Sequence, residues 1–242
     1  MALLSTDHVV VRFGGLLALS DANIDVDAGG VTGLIGPNGA GKTTCFNIIT
    51  GLQEPTAGRV IFDGVDITNK SPHHRARLGI ARTFQKLEAF SSLSARENVL
   101  VAAEQRKSWD RSRFSPGAMA DELLDRVGIS DVADYMVGTL PTGTARLVEL
   151  ARALATKPRV LLLDEPSSGL NDEETQAMAS LLRGVVADGL AVLLVEHDMS
   201  LVMGTCKVIY VLDFGVVLAT GTPSEIQSNP VVQAAYLGTP VT

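Results

Sequence analysis

Between Val31 and Thr44 a strand-length run, Val31-Thr32-Gly33-Leu34-Ile35, passes directly into Gly36-Pro37-Asn38-Gly39-Ala40-Gly41-Lys42-Thr43-Thr44. Four residues separate Gly36 from Gly41, and Lys and Thr follow at once. A loop that wraps a polyphosphate points successive backbone N–H groups inward, and it needs glycine where a side chain would collide. The helix expected from about Lys42 to Thr50 adds the positive end of its dipole. In this pattern Lys42 reaches the β- and γ-phosphates and the Thr43 hydroxyl ligates magnesium. The alternative is a plain glycine-rich turn, which the strand before the loop and the helix after it argue against. ATP with magnesium is the expected ligand, held from Gly36 to Thr44.

Two further apolar runs end in chemistry-bearing residues. Val160–Leu163 leads into Asp164 and Glu165, and Leu190–Val195 leads into Glu196 and His197. Short continuous apolar runs read as strands buried on both faces of a parallel sheet. Such a sheet binds ligands at its carboxyl edge, where these residues arrive. Asp164 is expected to hold magnesium through its water shell, and Glu165 to polarise an attacking water. A neutral imidazole at His197 suits a hydrogen bond to a γ-phosphate or to that water. His8, His73 and His74 read as ordinary surface or core residues.

Around these runs the chain alternates strands and helices. Val9–Phe13, Ala22–Val26 and Arg59–Phe62 read as antiparallel strands, and Asp63-Gly64 as a hairpin turn. Ser71-Pro72 reads as an N-cap with proline at the first helical position. Between about Lys86 and Lys157 no buried strand is expected. Ser94-Ala95-Arg96-Glu97 is a capping box ahead of a helix over Asn98–Ala103. Gln105–Gly117 reads as a loop, and Ala120–Val127 and Ala145–Thr156 as helices. Asn171, with Glu174 three residues on, caps a helix over Asp172–Ala187, and Val208–Leu212 is a further strand. The tail from Pro223 to Thr242 reads as partly helical.

Composition sets outer limits. The 242 residues are 46% hydrophobic, yet no stretch has the ~18–20 uncharged apolar residues of a membrane span. Met1–Asp7 has no basic region of the kind that opens a signal peptide. Cys45 and Cys206 are isolated, which suits a reducing cytosol. A net charge of -7 argues against an undirected nucleic-acid binder.

Together these motifs resemble the ATP-binding cassette (ABC) ATPases over nearly the whole chain. The likeness is carried by Gly36–Thr44, Gln85 within Arg82-Thr83-Phe84-Gln85, the Leu161–Pro166 run, and His197. It implies an α/β fold: a P-loop NTPase core with an antiparallel β subdomain (residues 1–85 and 158–242) and an inserted helical subdomain (86–157), all in one domain. It implies that Gln85 touches the metal and moves with a transmembrane partner, and that Phe13 stacks on adenine. Ser168-Gly169-Leu170-Asn171 matches the turn that crosses to a partner subunit.

One motif departs from the family. Its usual Leu-Ser-Gly-Gly-Gln stands here as Leu140-Pro141-Thr142-Gly143-Thr144. In the family this motif binds the γ-phosphate held by the opposite subunit, a role the resemblance carries to Gly143. Pro141 offers neither hydroxyl nor N–H. The branch serving branched-chain amino-acid importers tolerates Leu-Pro-Tyr-Gly here. Arg12–Leu19, Glu97–Ala102, Glu196–Met203 and the stretch from Gly221-Thr222-Pro223 to Gly238 are similar to that branch. The resemblance therefore implies an ATPase subunit on the cytoplasmic face of the membrane, paired with a second ATPase chain, alike or different. Separate permease subunits complete the importer, with a substrate-binding protein indirectly; no nucleic acid is involved. The competing expectation is a low-turnover regulatory subunit beside an active ATPase.

Overall fold

The computed structural model describes residues 2–237; Met1 and the Gly238 end of the tail match lie outside the described residues. Two sheets organise the chain. The antiparallel one contains β1 (Leu4–Phe13), β2 (Leu16–Val26), β4 (Ala57–Phe62) and β5 (Val65–Asp66), ordered β2-β1-β4-β5. The other contains β3 (Val31–Ile35), β6 (Ile80–Arg82), β7 (Val160–Asp164), β8 (Ala191–Val195), β9 (Val208–Asp213) and β10 (Val216–Gly221). Its order is β10-β9-β3-β8-β7-β6, and every neighbouring pair is parallel except β10 with β9. The helices of more than five residues are α1 (Lys42–Thr50), α2 (Pro72–Leu78), α3 (Ala95–Lys107), α4 (Pro116–Arg126), α5 (Thr142–Ala155), α6 (Asp172–Ala187), α7 (Met199–Thr205) and α8 (Pro223–Ser228), among the described residues.

The continuous apolar runs behave as their composition requires. All five residues of β3, β7 and β8 are buried. Their side chains alternate between two cores, as the period of two in a strand demands. Leu162 and Leu193 pack with Phe46 and Ile48 of α1 and with Leu19 of the antiparallel sheet. Leu163 and Leu194 pack with Met178 and Leu182 of α6 and Leu201 of α7. Each such leucine contributes about 1.5–3 kcal/mol relative to exposure. A third core joins α3, α4 and α5 through Val99, Leu124 and Val148. This is an α/β core with an antiparallel β subdomain and an inserted helical subdomain.

Local signals explain most element ends. The capping boxes Ser94/Glu97 and Asn171/Glu174 both close on their helices. Asp63 and Gly64 have φ of 52° and 75°, the pair a tight hairpin between β4 and β5 needs.

Some expectations fail for identifiable reasons. Gln105–Gly117 is not one loop. Its first residues extend α3, because Arg106 turns inward, bonds Asp110 (2.6 Å) and lies over the Phe114 ring. Its last residues start α4, since Ser115 caps that helix and Pro116 occupies its first turn. Helix α5 begins at Thr142 rather than Ala145. Ser71 makes no side-chain cap; its Oγ bonds His73 Nδ1 instead (2.9 Å). Strands β6 and β10 and helix α7 are additions to the sequence reading. The three residues of β6 are too few to show a period.

Candidate active site at the carboxyl edge of the parallel sheet

Strand β3 delivers Gly36 to a position no other residue fits. A Cβ there would lie 2.0 Å from the Leu212 carbonyl oxygen of β9. At Gly41, with φ of 110°, a Cβ would lie 2.7 Å from the Ala18 carbonyl oxygen. The loop is therefore clamped between β2 and the β9–β10 hairpin, where the Gly215 amide donates to Ala40 O (2.9 Å). Helix α1 opens on Gly41 with no side-chain cap and no acid in its first turn. Its first amides thus have no acceptor from a side chain, which suits an anion.

Lys42 is buried and folds back along the loop, donating to Gly36 O (2.6 Å) and Pro37 O (3.0 Å). Burial pulls its pKa down, partly offset by Glu165 and then Asp164. The cavity beside it measures about 360 Å³. Asn38, Gly39, Ala40, Gly41, Lys42, Thr43 and Thr44 line one side, and Gln85, Asp164 and Glu165 the other. Phe13, half exposed at the end of β1, stands at the rim with Phe214.

Glu165 is the meeting point. His197 Nε2 lies 3.0 Å from its Oε1, and the Gln85 side-chain amide donates to its Oε2 (3.0 Å). Glu165 itself has φ of 50°, a left-handed conformation that costs a non-glycine residue of order 1–3 kcal/mol. Its amide donates to Val195 O (2.8 Å), so the backbone pairing of β7 with β8 continues beyond the strand and holds the bend. The donors available to a metal are a threonine hydroxyl, a glutamine amide and a carboxylate. These are hard oxygens that fit magnesium shared with phosphate. Among the described residues no cluster of three His, Cys, Asp or Glu offers a cage without phosphate.

Residues outside the sequence-level motifs hold this arrangement. Arg82, at the end of β6, donates to Asp164 Oδ2 (2.9 Å) and Asn47 Oδ1 (2.6 Å). Its guanidinium lies over the rings of Phe46 and Phe84. Arg146 of α5 donates to Phe84 O (3.0 Å) and Gln85 O (2.6 Å) and pairs with Glu149, which in turn accepts from the Glu88 amide. Burial pushes the Glu149 carboxyl up against the opposing pull of that amide and Arg146. Arg82 and Asp164, like Arg146 and the Phe84 and Gln85 carbonyls, sit some sixty to eighty residues apart in the chain, so no local pattern announces those bonds.

Gly143 lies away from the cavity, buried in the first turn of α5. A Cβ there would lie 2.6 Å from Glu174 Oε1 and 3.0 Å from Leu170 Cδ2. Both neighbours are side-chain ends, so a larger residue at this position would displace Glu174 and Leu170.

The family model described as "ABC transporter" matches residues 19–168. The model described as "Branched-chain amino acid ATP-binding cassette transporter" matches residues 216–242. The chain is 40% identical to the high-affinity branched-chain amino acid transport ATP-binding protein BraF of Pseudomonas aeruginosa, with 98% of each chain covered. It is 39% identical to LivG of Escherichia coli, of the same description, again over 98% of each. The crystal structure of the ADP conformation of MJ1267, an ATP-binding cassette of an ABC transporter, superposes with a TM-score of 0.87. That likeness is at 31% identity, over 99% of this chain and all of the other. The chain belongs to the ABC transporter family, as one of its ATP-binding, ATP-hydrolysing subunits.

Proposed function

We propose that this chain powers the import of branched-chain amino acids or related small solutes, and that the cavity between α1 and Glu165 is its hydrolytic site. The observation that carries the reading is Glu165, bracketed at 3.0 Å by both Gln85 and His197 opposite the Gly36–Thr44 loop. In this reading the loop amides and Lys42 hold the phosphates, Phe13 stacks on adenine, and Thr43, Asp164 and Gln85 hold magnesium. The bound ion would neutralise charge on the β- and γ-phosphates. Glu165 accepts a proton from the attacking water, while His197 orients the carboxylate and the departing phosphate.

Among the described residues no helix is long and apolar enough to cross a membrane, so the solute path belongs to permease subunits. A groove of about 440 Å³ beside the Gln85 loop, lined by Leu52, Phe84 and Phe90, offers those subunits an apolar seat. Residues 86–157 serve as the subdomain that moves with them, against a core of 1–85 and 158–242. A second ATPase chain, alike or different, brings its Gly143 turn to this cavity, and the permeases hold both at the cytoplasmic face. A lower-turnover, regulatory role is favoured only by Pro141 and Thr142 at the start of α5.

Proteoliposomes carrying the chain with its cognate permeases test the reading. ATP turnover should rise when a substrate-binding protein loaded with a branched-chain amino acid is added. Turnover indifferent to loading would rule out that solute class.

A further inference from the structure

We propose that Glu196 is a positioning residue that ties the Glu165 turn to the His197 turn and sets their 3.0 Å contact. The inference rests on the roles proposed for Glu165 and His197. Glu196 follows the last residue of β8, and its side chain is almost wholly buried, 2% exposed. A carboxylate so placed must be matched by donors, or its desolvation costs several kcal/mol. Both of its oxygens are engaged by backbone amides. Oε1 accepts from the Ser167 amide (2.7 Å), two residues beyond Glu165. Oε2 accepts from the His197 amide (2.9 Å) and from the Asp198 amide (3.3 Å).

One side chain therefore bonds both turns that carry the reacting groups. The Glu165 turn needs such a bond, because Glu165 has φ of 50° and relaxes away unless its surroundings hold it. The strand pairing through the Val195 carbonyl fixes the Glu165 backbone from below. The Glu196 carboxylate fixes the following peptide against the imidazole's own backbone. Lys42, Asp164 and the α1 amides make no contact with it among the described hydrogen bonds, so its influence runs through geometry alone.

Glu196→Gln is nearly isosteric but has one acceptor oxygen where the carboxylate has two, and its NH2 group faces the other turn donor to donor. A displacement of about an ångström between reacting groups slows a step by roughly a hundredfold. In vesicles with its permeases, E196Q should lower kcat by about tenfold to a hundredfold. Its ATP Kd, set by Lys42 and the α1 amides, should stay within about twofold, since non-contacting sites behave independently. Added to His197→Ala, the same change should lower the residual turnover much less than it does in the parent, because one of the groups it aligns is gone. If E196Q does not fold, Glu196→Asp keeps the charge, shortens the bridge, and should split kcat from Kd in the same direction. Parent turnover in the folded variant, or an equal loss with and without His197, overturns the inference. Parent turnover in His197→Ala alone would instead overturn the assignment of His197.

Discussion

Helices α1 at Gly41 and α5 at Pro141 start without a side-chain cap, as does the short α2, while α3 and α6 are closed by full capping boxes. In α1 and α5 the first main-chain bond returns to the cap residue: Cys45 N to Gly41 O (2.9 Å) and Ala145 N to Pro141 O (3.0 Å). Each leaves the amides of its first turn for an outside acceptor. The difference lies in what surrounds them. Helix α1 opens into a cavity with Lys42 alongside. Helix α5 has no lysine or arginine in its first turn, carries Pro141 where the family has a serine, and is flanked by the Glu174 carboxylate at Gly143. The first of these helix starts brings its own positive charge; the second brings none.

That contrast ranks the consequences of mutation. The largest effect should come from Glu165→Gln, which removes the proposed base and should slow turnover by about 10²–10⁴-fold with ATP binding kept. Parent-rate hydrolysis by this variant would remove Glu165 from that role. Next is Lys42→Ala, which takes the only side-chain charge out of the α1 start. With charged hydrogen bonds contributing about 1.5–3 kcal/mol each, ATP affinity in calorimetry should fall by roughly a hundredfold or more. The fold should survive, since Lys42 lines a cavity and leaves no void in the core, and circular dichroism checks this.

The α5 start should respond more mildly, and in the opposite direction. Restoring Ser and Gly at positions 141 and 142 adds up to two donors, so ATP-dependent dimerisation should tighten by about tenfold. Parent and double variant are compared in a Glu165→Gln background by sedimentation. Equal affinities would mean that the amides of Thr142, Gly143 and Thr144 already suffice. The smallest effect is expected at the rim. Phe13→Ala should weaken ATP binding a few-fold, an aromatic contact being worth about 0.5–1.5 kcal/mol, and leave inorganic triphosphate binding unchanged. A loss shared by both ligands would place Phe13 in support of the loop and not against the base.

Legibility followed the range of the forces involved. The loop from Gly36 to Thr44 and the acids after Val160–Leu163 were readable because strand, turn and helix signals are local and adjacent. The caps at Ser94 and Asn171 were readable for the same reason. Strand β6 and the start of α4 were not. The first is held by β7 alone, and the Pro116-Gly117 pair that begins α4 also spells a turn. Gln85 was recognised, but not what holds it: Arg146, 61 residues away, bonds its carbonyl.

The amino-acid order by itself determined the buried strands, the glycine-rich loop and the identity of the residues at the sheet edge, because burial periodicity and glycine sterics act over a few residues. Only the tertiary structure decided that Gln85 and His197 converge on the Glu165 carboxylate, that Arg82 grips Asp164, and that Gly143 faces the Glu174 side chain of α6. Those contacts arise when three parallel strands, far apart in the chain, place their carboxyl ends side by side, and backbone hydrogen bonding between strands carries no trace in the sequence of which strand lies next to which.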